Sequence, residues 1–221
     1  MAKKSTKHKI IDFAIPLLNE VGFGTITLQE IAEGLGMSRG NLTYHFKDKD
    51  ALLAVIAQQM WVKIEKERIK SRTFPSFKNI HNEIQLYYKI QKEYAFIFLD
   101  PHVLRHPLIR AQFRKMTAQT IADNKAGIAF SIKLGNMKPE QLSGTYHNLA
   151  FITWMLSFFW LAQKIIRDDQ TEKRVEKLVW TMLLPHFTEK GLQAFKTFFG
   201  EAYYNDLGEP FEVDISELIA F

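Results

Sequence analysis

The sequence predicts an all-α protein, with a three-helix unit at the N-terminus and a larger helical body behind it. Three observations carry this. Apolar residues recur at i, i+3, i+4 spacing in most segments, and none alternates as a strand does. Capping residues, glycines and prolines punctuate the chain at helical intervals. Hydrophobic residues make up 47% of the 221, including 18 Phe, which supports a sizeable core and argues against disorder.

Ser5 or Thr6 caps the first helix, and Ile10, Ile11, Ala14, Leu17, Leu18 and Val21 keep helical spacing until Gly22 stops it. Pro16 lies inside and removes a backbone donor, so a kink is expected there. Thr27 and Glu30 form a capping-box pattern for a second helix to about Leu35. Gly36 supplies a permissive turn, and Ser38 caps a third helix through about Phe46. Asp48 caps a fourth, which carries Leu52, Leu53, Val55, Ile56, Met60 and Ile64 and ends in the mixed-charge stretch Lys63–Arg72. Phe74-Pro75-Ser76 then breaks the pattern.

Ser76 opens a helix to about Lys92, and Asp100-Pro101 and His106-Pro107 frame a short helix or turn. Pro107 opens a long helix to about Leu134, stopped by Gly135-Asn136. Pro139, at a first-turn position, opens another to about Ile166. Asp169 or Thr171 starts the next, with Val175, Leu178, Val179, Met182 and Leu183 apolar. Leu192, Phe195, Phe198, Phe199 and Ala202 mark the last, and the tail beyond Asn205 is acidic. The expected division is 1–49 for the N-terminal unit, 50–75 for a connecting helix, 76–205 for the body and 206–221 for the tail.

Composition narrows the function. With no cysteine there is no disulfide framework, thiolate metal site or Cys nucleophile, which fits a reducing cytosol. The net charge of +5 permits a nucleic-acid partner without requiring one. The basic start MAKKSTKHKI lacks the apolar stretch of a secretory signal, so a cytoplasmic location is expected. The apolar run Leu149–Ala162 is shorter than the roughly 20 residues a spanning helix needs, so no membrane is expected as a partner. There is no Gly-rich phosphate loop, nucleophile elbow or paired His on one helix face. Asp100, His102 and His106 straddle helix breaks, where no regular ligand spacing holds. No enzyme, catalytic residue, metal or cofactor is therefore expected.

The motif that carries chemistry is Thr27–Lys49. A small residue, Ala32, stands where two helices would touch, and Gly36 sits in the turn between them. Ile31, Met37, Leu42 and Phe46 can hold the angle, and the leading edge of the following helix is polar or basic. This is a helix-turn-helix, whose second helix can enter a major groove.

Ala14, Gly22-Phe23, Thr25, Thr27, Ile31-Ala32, Gly36-Met37-Ser38, Gly40, Leu42, His45-Phe46, Lys49 and Leu52-Leu53 resemble the N-terminal domain of TetR-family bacterial transcriptional regulators. The chain departs at Thr43, where the family usually has an aromatic; here the aromatic is Tyr44. The resemblance implies DNA contacts from Thr27, Ser38, Arg39, Gly40, Asn41, Thr43, Tyr44, His45 and Lys49. Thr27, His45 and Lys49 would serve phosphates; Arg39, Asn41, Thr43 and Tyr44 would face bases. Lys3, Lys4, Lys7 and Lys9 would add salt-dependent attraction.

The resemblance further implies that the body binds an effector and forms a homodimer on a double-stranded, palindromic DNA operator. The effector is expected to be small and apolar or aromatic, with Phe96, His102, Phe113, Met116, His147, Trp154 and Phe158 as candidate contacts. For any one of these residues ordinary core is the commoner role. The helix through Phe151–Leu161 is apolar nearly all round and has to be covered on every side. The resemblance implies that the last long helices, roughly 139–166 and 171–204, pack against a second copy as a four-helix bundle, with Val175–Leu184 and Phe195–Tyr203 as the favoured contact. The alternative reading is a helical small-molecule-binding or interaction protein whose helix-turn-helix no longer binds DNA.

Overall fold

The structure, a computed structural model, describes residues 5–71, 76–169 and 174–211. Lys3, Lys4, Arg72, Phe74-Pro75, Thr171 and the tail acids Glu212, Asp214 and Glu217 lie outside the described residues. Among those described, all regular structure is helical, apart from one isolated bridge between Met137 and Phe187.

The N-terminal unit follows its local signals. Helix α1 (Thr6–Val21) is capped by Ser5, runs through Pro16 and ends at Gly22, whose φ of 83° favours glycine. Helix α2 (Leu28–Gly34) starts on the complete Thr27–Glu30 capping box. Gly36, at φ 65°, turns the chain into α3 (Arg39–His45), where the Ser38 hydroxyl accepts from the Asn41 N–H. Helix α4 (Lys49–Ser71) begins where Asp48 Oδ1 accepts from Ala51 N at 2.7 Å.

The body holds α5 (Phe77–Glu93), the short α6 (Ala95–Leu99) and α7 (Pro101–Arg105), the long α8 (Pro107–Lys133), and α9 (Thr145–Ile166). It continues with α10 (Val175–Leu183), a 3-10 turn over Leu184–His186, α11 (Glu189–Phe199) and α12 (Glu201–Asp206). Two cores result. One runs from Ile10, Ile31 and Leu42 through Leu53, Ile56 and Met60 of α4 to Ile90, Phe96 and Phe113. The other joins Ile84, Ile128 and Leu149 to Trp180, Phe187 and Phe195. The N-terminal unit therefore shares one continuous core with α4–α8.

Three helix boundaries differ from expectation, the first because tertiary bonds override a local signal. Pro139 does not open a helix; α9 starts at Thr145. Lys138 N donates to His186 O at 2.8 Å, holding the segment against the 3-10 turn. Gly144 then turns at φ 92°, and the Glu140 carboxylate accepts from Tyr146 N at 2.7 Å. Helix α10 starts at Val175 rather than at Asp169, because Val175, Val179 and Trp180 must face the second core. The last expected helix is two, split at Gly200 with φ 88°.

Helix α9 also departs from expectation. Its inner face, with Leu149, Ala150 and Trp160, is buried. Thr153 and Ser157 are buried there too, their hydroxyls donating to the carbonyls of Leu149 and Thr153 at 2.9 Å. Its outer face is not covered: Phe151, Met155 and Phe159, one helical turn apart, are 43%, 40% and 50% exposed. By length and composition α9 could cross a membrane, but its buried side packs on α5, α8 and α10. Of the expected dimer contact, Val175, Val179, Trp180, Leu183 and Phe195 are buried inside the chain's own core, while Phe198 is 49% exposed.

Candidate nucleic-acid interface and body cavity

The angle between α2 and α3 is set by fully buried residues. Ile31, Ala32 and Leu42 are at 0% exposure, and Met37 N donates to Ala32 O across the turn. Outward from this frame, Arg39, Gly40, Asn41 and Tyr44 project from α3 into solvent. Tyr44 is 86% exposed, its only ring neighbour being the edge of His45 at 5.2 Å among the described residues. It does not pack against α1. A single exposed aromatic is ordinary by itself; here it shares an exposed helix with Arg39 and Asn41.

Other members of the predicted set have internal duties. The Thr43 hydroxyl donates to the carbonyls of Arg39 and Gly40 at 3.0 and 3.1 Å, so its proton is engaged within α3. Thr27 is engaged with Glu30 through both its N–H and its hydroxyl, and these bonds hold the Glu30 carboxyl below its usual range. Lys49 Nζ donates to Phe23 O at 2.6 Å and Ile26 O at 2.8 Å, and sits 4.6 Å above the Phe23 ring. One ammonium proton remains for a phosphate. Lys49→Met is accordingly expected to lower stability by about 1–3 kcal/mol, since it strands two carbonyls. Urea denaturation without DNA checks this, and an unchanged midpoint would assign Lys49 to DNA contact alone.

The bonds joining this unit to the body were not legible in the sequence. Asp100, between α6 and α7, accepts from Phe23 N at 2.7 Å and Gly24 N at 3.2 Å, and from His102 N at 2.8 Å. Asn19 of α1 donates to Glu93 O and accepts from Phe96 N at 2.9 and 3.0 Å. His106 lies 3.8 Å from Asp50 at the start of α4. The only sequence signal was that Asp100 precedes a proline at a helix break.

In the body, α5, α8 and α9 line a partly open cavity of about 260 Å³, with Trp180, Leu183 and Phe187 also on its wall. Of the predicted effector contacts, Met116, Trp154 and Phe158 line it. Phe96 and Phe113 are buried in the first core instead. His102 sits on the surface against Gly24, and His147 is exposed on α9. Tyr87, Thr120, Glu83 and Asp123 were missed as lining residues. Asp123 keeps helical register with Met116 and Thr120, which was the available signal. Tyr87 and Thr120 share a hydrogen bond of 3.2 Å, and burial pushes the Tyr87 phenol up to about 12.

Comparison with known proteins agrees with this arrangement. The family described as "Bacterial regulatory proteins, tetR family" matches residues 10–56, and "Bacterial transcriptional repressor" of the same group matches 48–195. The HTH-type transcriptional regulator RutR of Escherichia coli K12 is 26% identical over 157 residues, covering 69% of this chain and 72% of its own. The class C tetracycline repressor protein of Escherichia coli is 40% identical over 57 residues, 26% of either chain. The crystal structure of a TetR-family transcriptional regulator from Marinobacter aquaeolei shares the fold, with a TM-score of 0.78 at 21% identity over 92% of this chain and 99% of that one. With the second family match alone spanning more than half of its length, the chain belongs to the TetR family of bacterial transcriptional regulators.

Proposed function

We propose that the protein is a cytoplasmic homodimeric repressor that reads a palindromic operator with α3 and is released when a small effector with an apolar or aromatic body enters the cavity. The observation that carries this is the solvent-facing surface of α3, with Arg39, Asn41 and Tyr44 open on a helix held rigidly by Ile31, Ala32 and Leu42. DNA is the partner that fits a short polar and basic helix of this presentation. Phosphate contacts fall to His45, to the remaining proton of Lys49, and to Lys7 and Lys9 on the exposed side of α1. Two such helices about 34 Å apart would read successive major grooves on one face of DNA.

Release needs only that the effector bind the DNA-competent state less well than the other. The cavity wall is tied to α4 through ring contacts: Trp61 of α4 meets Phe113 at 5.1 Å, and Phe113 meets Phe158 at 5.2 Å. Helix α4 continues directly from the α3 connection, so a shift at the cavity end reaches the recognition helix.

Selection of bound DNA from a random pool tests the reading. A palindrome with half-sites about one helical turn apart is expected. Failure to select any salt-sensitive sequence would favour a helical binding protein without DNA function. Arg39→Ala should weaken the selected site by about 1–3 kcal/mol and relax one base position, measured by gel shift. Equal weakening on all DNA would make Arg39 a phosphate contact.

A further inference from the structure

Gly127 lies well inside α8 and lines the cavity. A glycine within a helix is less stable than alanine, so its presence calls for a reason. Gly191 of α11 has one, since a Cβ there would run into the Asn136 carbonyl. At Gly127 no described atom lies within 4 Å of where a Cβ would stand. The missing side chain is therefore open room, and bare backbone that a ligand can approach closely. Thr120, Asn124, Gly127 and Ser131 follow i, i+4, i+7, i+11 spacing and all line the cavity, so they form one face of α8. Toward Thr120 this face carries unspent donors. Tyr87 and Thr120 are both 7% exposed, and the 3.2 Å bond between their hydroxyls uses only one of two protons. Burial pushes the Tyr87 phenol up to about 12, so both protons are present at neutral pH. Asn124 donates one amide N–H to Ala150 O at 3.1 Å and keeps the other. Thr153 and Ser157 of α9 have spent theirs on helix carbonyls. The cavity's 260 Å³ exceeds the about 150 Å³ that admits a benzene ring.

We propose that the effector carries a flat ring, which lies on the α8 backbone at Gly127, and a carbonyl-type oxygen, which accepts the free proton of the Tyr87–Thr120 pair. This rests on the cavity being the effector site. The recess left by one absent methyl is shallow, and a planar ring is the thinnest body that fills it. Trp154 and Phe158 give the same cavity aromatic faces, which a ring prefers as neighbours. At 1.5 Å of rise per residue, Gly127 stands about 10 Å along α8 from Thr120. The ring and the oxygen are accordingly separated by a short linker, with Asn124 between them.

Three probes test this: 4-phenyl-2-butanone, 4-cyclohexyl-2-butanone with a puckered ring, and propylbenzene without an oxygen. Binding is read by the fluorescence of Trp154 and Trp180, which line the cavity, and release by gel shift on the selected operator. The phenyl ketone is expected to bind about tenfold tighter than the cyclohexyl ketone. Gly127→Ala should raise the melting temperature by about 1–4 °C and weaken the phenyl ketone about tenfold. The double change Tyr87→Phe with Thr120→Val removes both hydroxyls together and strands neither. It should weaken the phenyl ketone about three- to tenfold and leave propylbenzene unchanged. A stabilised Gly127→Ala variant with unaltered ketone affinity, or equal binding of the two ketones, overturns the ring placement. Unaltered ketone affinity in the double variant overturns the oxygen assignment. Binding of neither ketone at millimolar concentration overturns the cavity as the effector site as well. A phenyl ketone that binds as expected without weakening operator affinity overturns the effector role and leaves the ring and oxygen placement standing.

Discussion

Phe159→Glu is expected to leave a folded chain of 25.8 kDa that no longer pairs with a second copy and has lost specific operator binding. Phe151, Met155 and Phe159 form a stripe on α9 that no described residue fully covers, flanked by Ile152 at 36% exposure. A stripe of large apolar residues at one-turn spacing is the kind of surface an obligate partner buries. A second copy is the occupant that a palindromic operator requires. The inner face of α9 is untouched by the change, so the melting temperature should move little. Specific affinity should fall by about 10³-fold or more, toward the level of non-specific binding, because one recognition helix reads only a half-site. Sedimentation velocity and gel shift check the two parts. A variant that stays dimeric would move the interface to another surface.

Asp100→Ala is expected to cost about 3 kcal/mol of stability and to weaken the effector's control over DNA several-fold. The carboxylate receives three backbone N–H groups, two of them from the Phe23-Gly24 turn and one from α7. Removing it leaves the buried Phe23 without its partner at the seam between the N-terminal unit and the body. Operator binding by the folded variant should persist, since no α3 residue is touched. Urea denaturation measures the first effect, and the ratio of operator affinities with and without a cavity ligand found by screening measures the second. An unchanged ratio would place the whole relay in α4 and leave Asp100 a structural brace. Asp100→Asn, which keeps one acceptor oxygen, should fall between.

What could be read from the chain alone is instructive residue by residue. Thr27 with Glu30, Ser38 with Asn41 and Asp48 with Ala51 satisfy helix N-termini within three residues of sequence. Such bonds exist whenever the helix exists, so local chemistry announces them. Gly36 is similar, since its positive φ is a property of the turn itself. These few positions, with the apolar spacing around them, were enough to place the helix-turn-helix and its outward residues Arg39, Asn41 and Tyr44.

The remainder depended on partners far along the chain. Phe23 finds Asp100 across 77 residues and Arg68 finds Asp123 across 55, separations at which spacing carries no information. Pro139 bears a good first-turn signal, yet pairing of Met137–Lys138 with His186–Phe187 outweighs it. Among the aromatics, apolar character announces burial but not its location. Phe113 went to the core beside Trp61, while Phe158 faces both Phe113 and the cavity.

Helix existence, the turn and the exposed surface of α3 are matters of bonding within one or two turns, and the linear order of residues settles them. Which face of α9 stays open, where the cavity forms, and that Glu83 and Asp123 on its wall meet Arg68 of α4 were settled only by packing. The physical reason is that each of those depends on which helices come to lie side by side, and that choice is made by the competition of all buried faces at once.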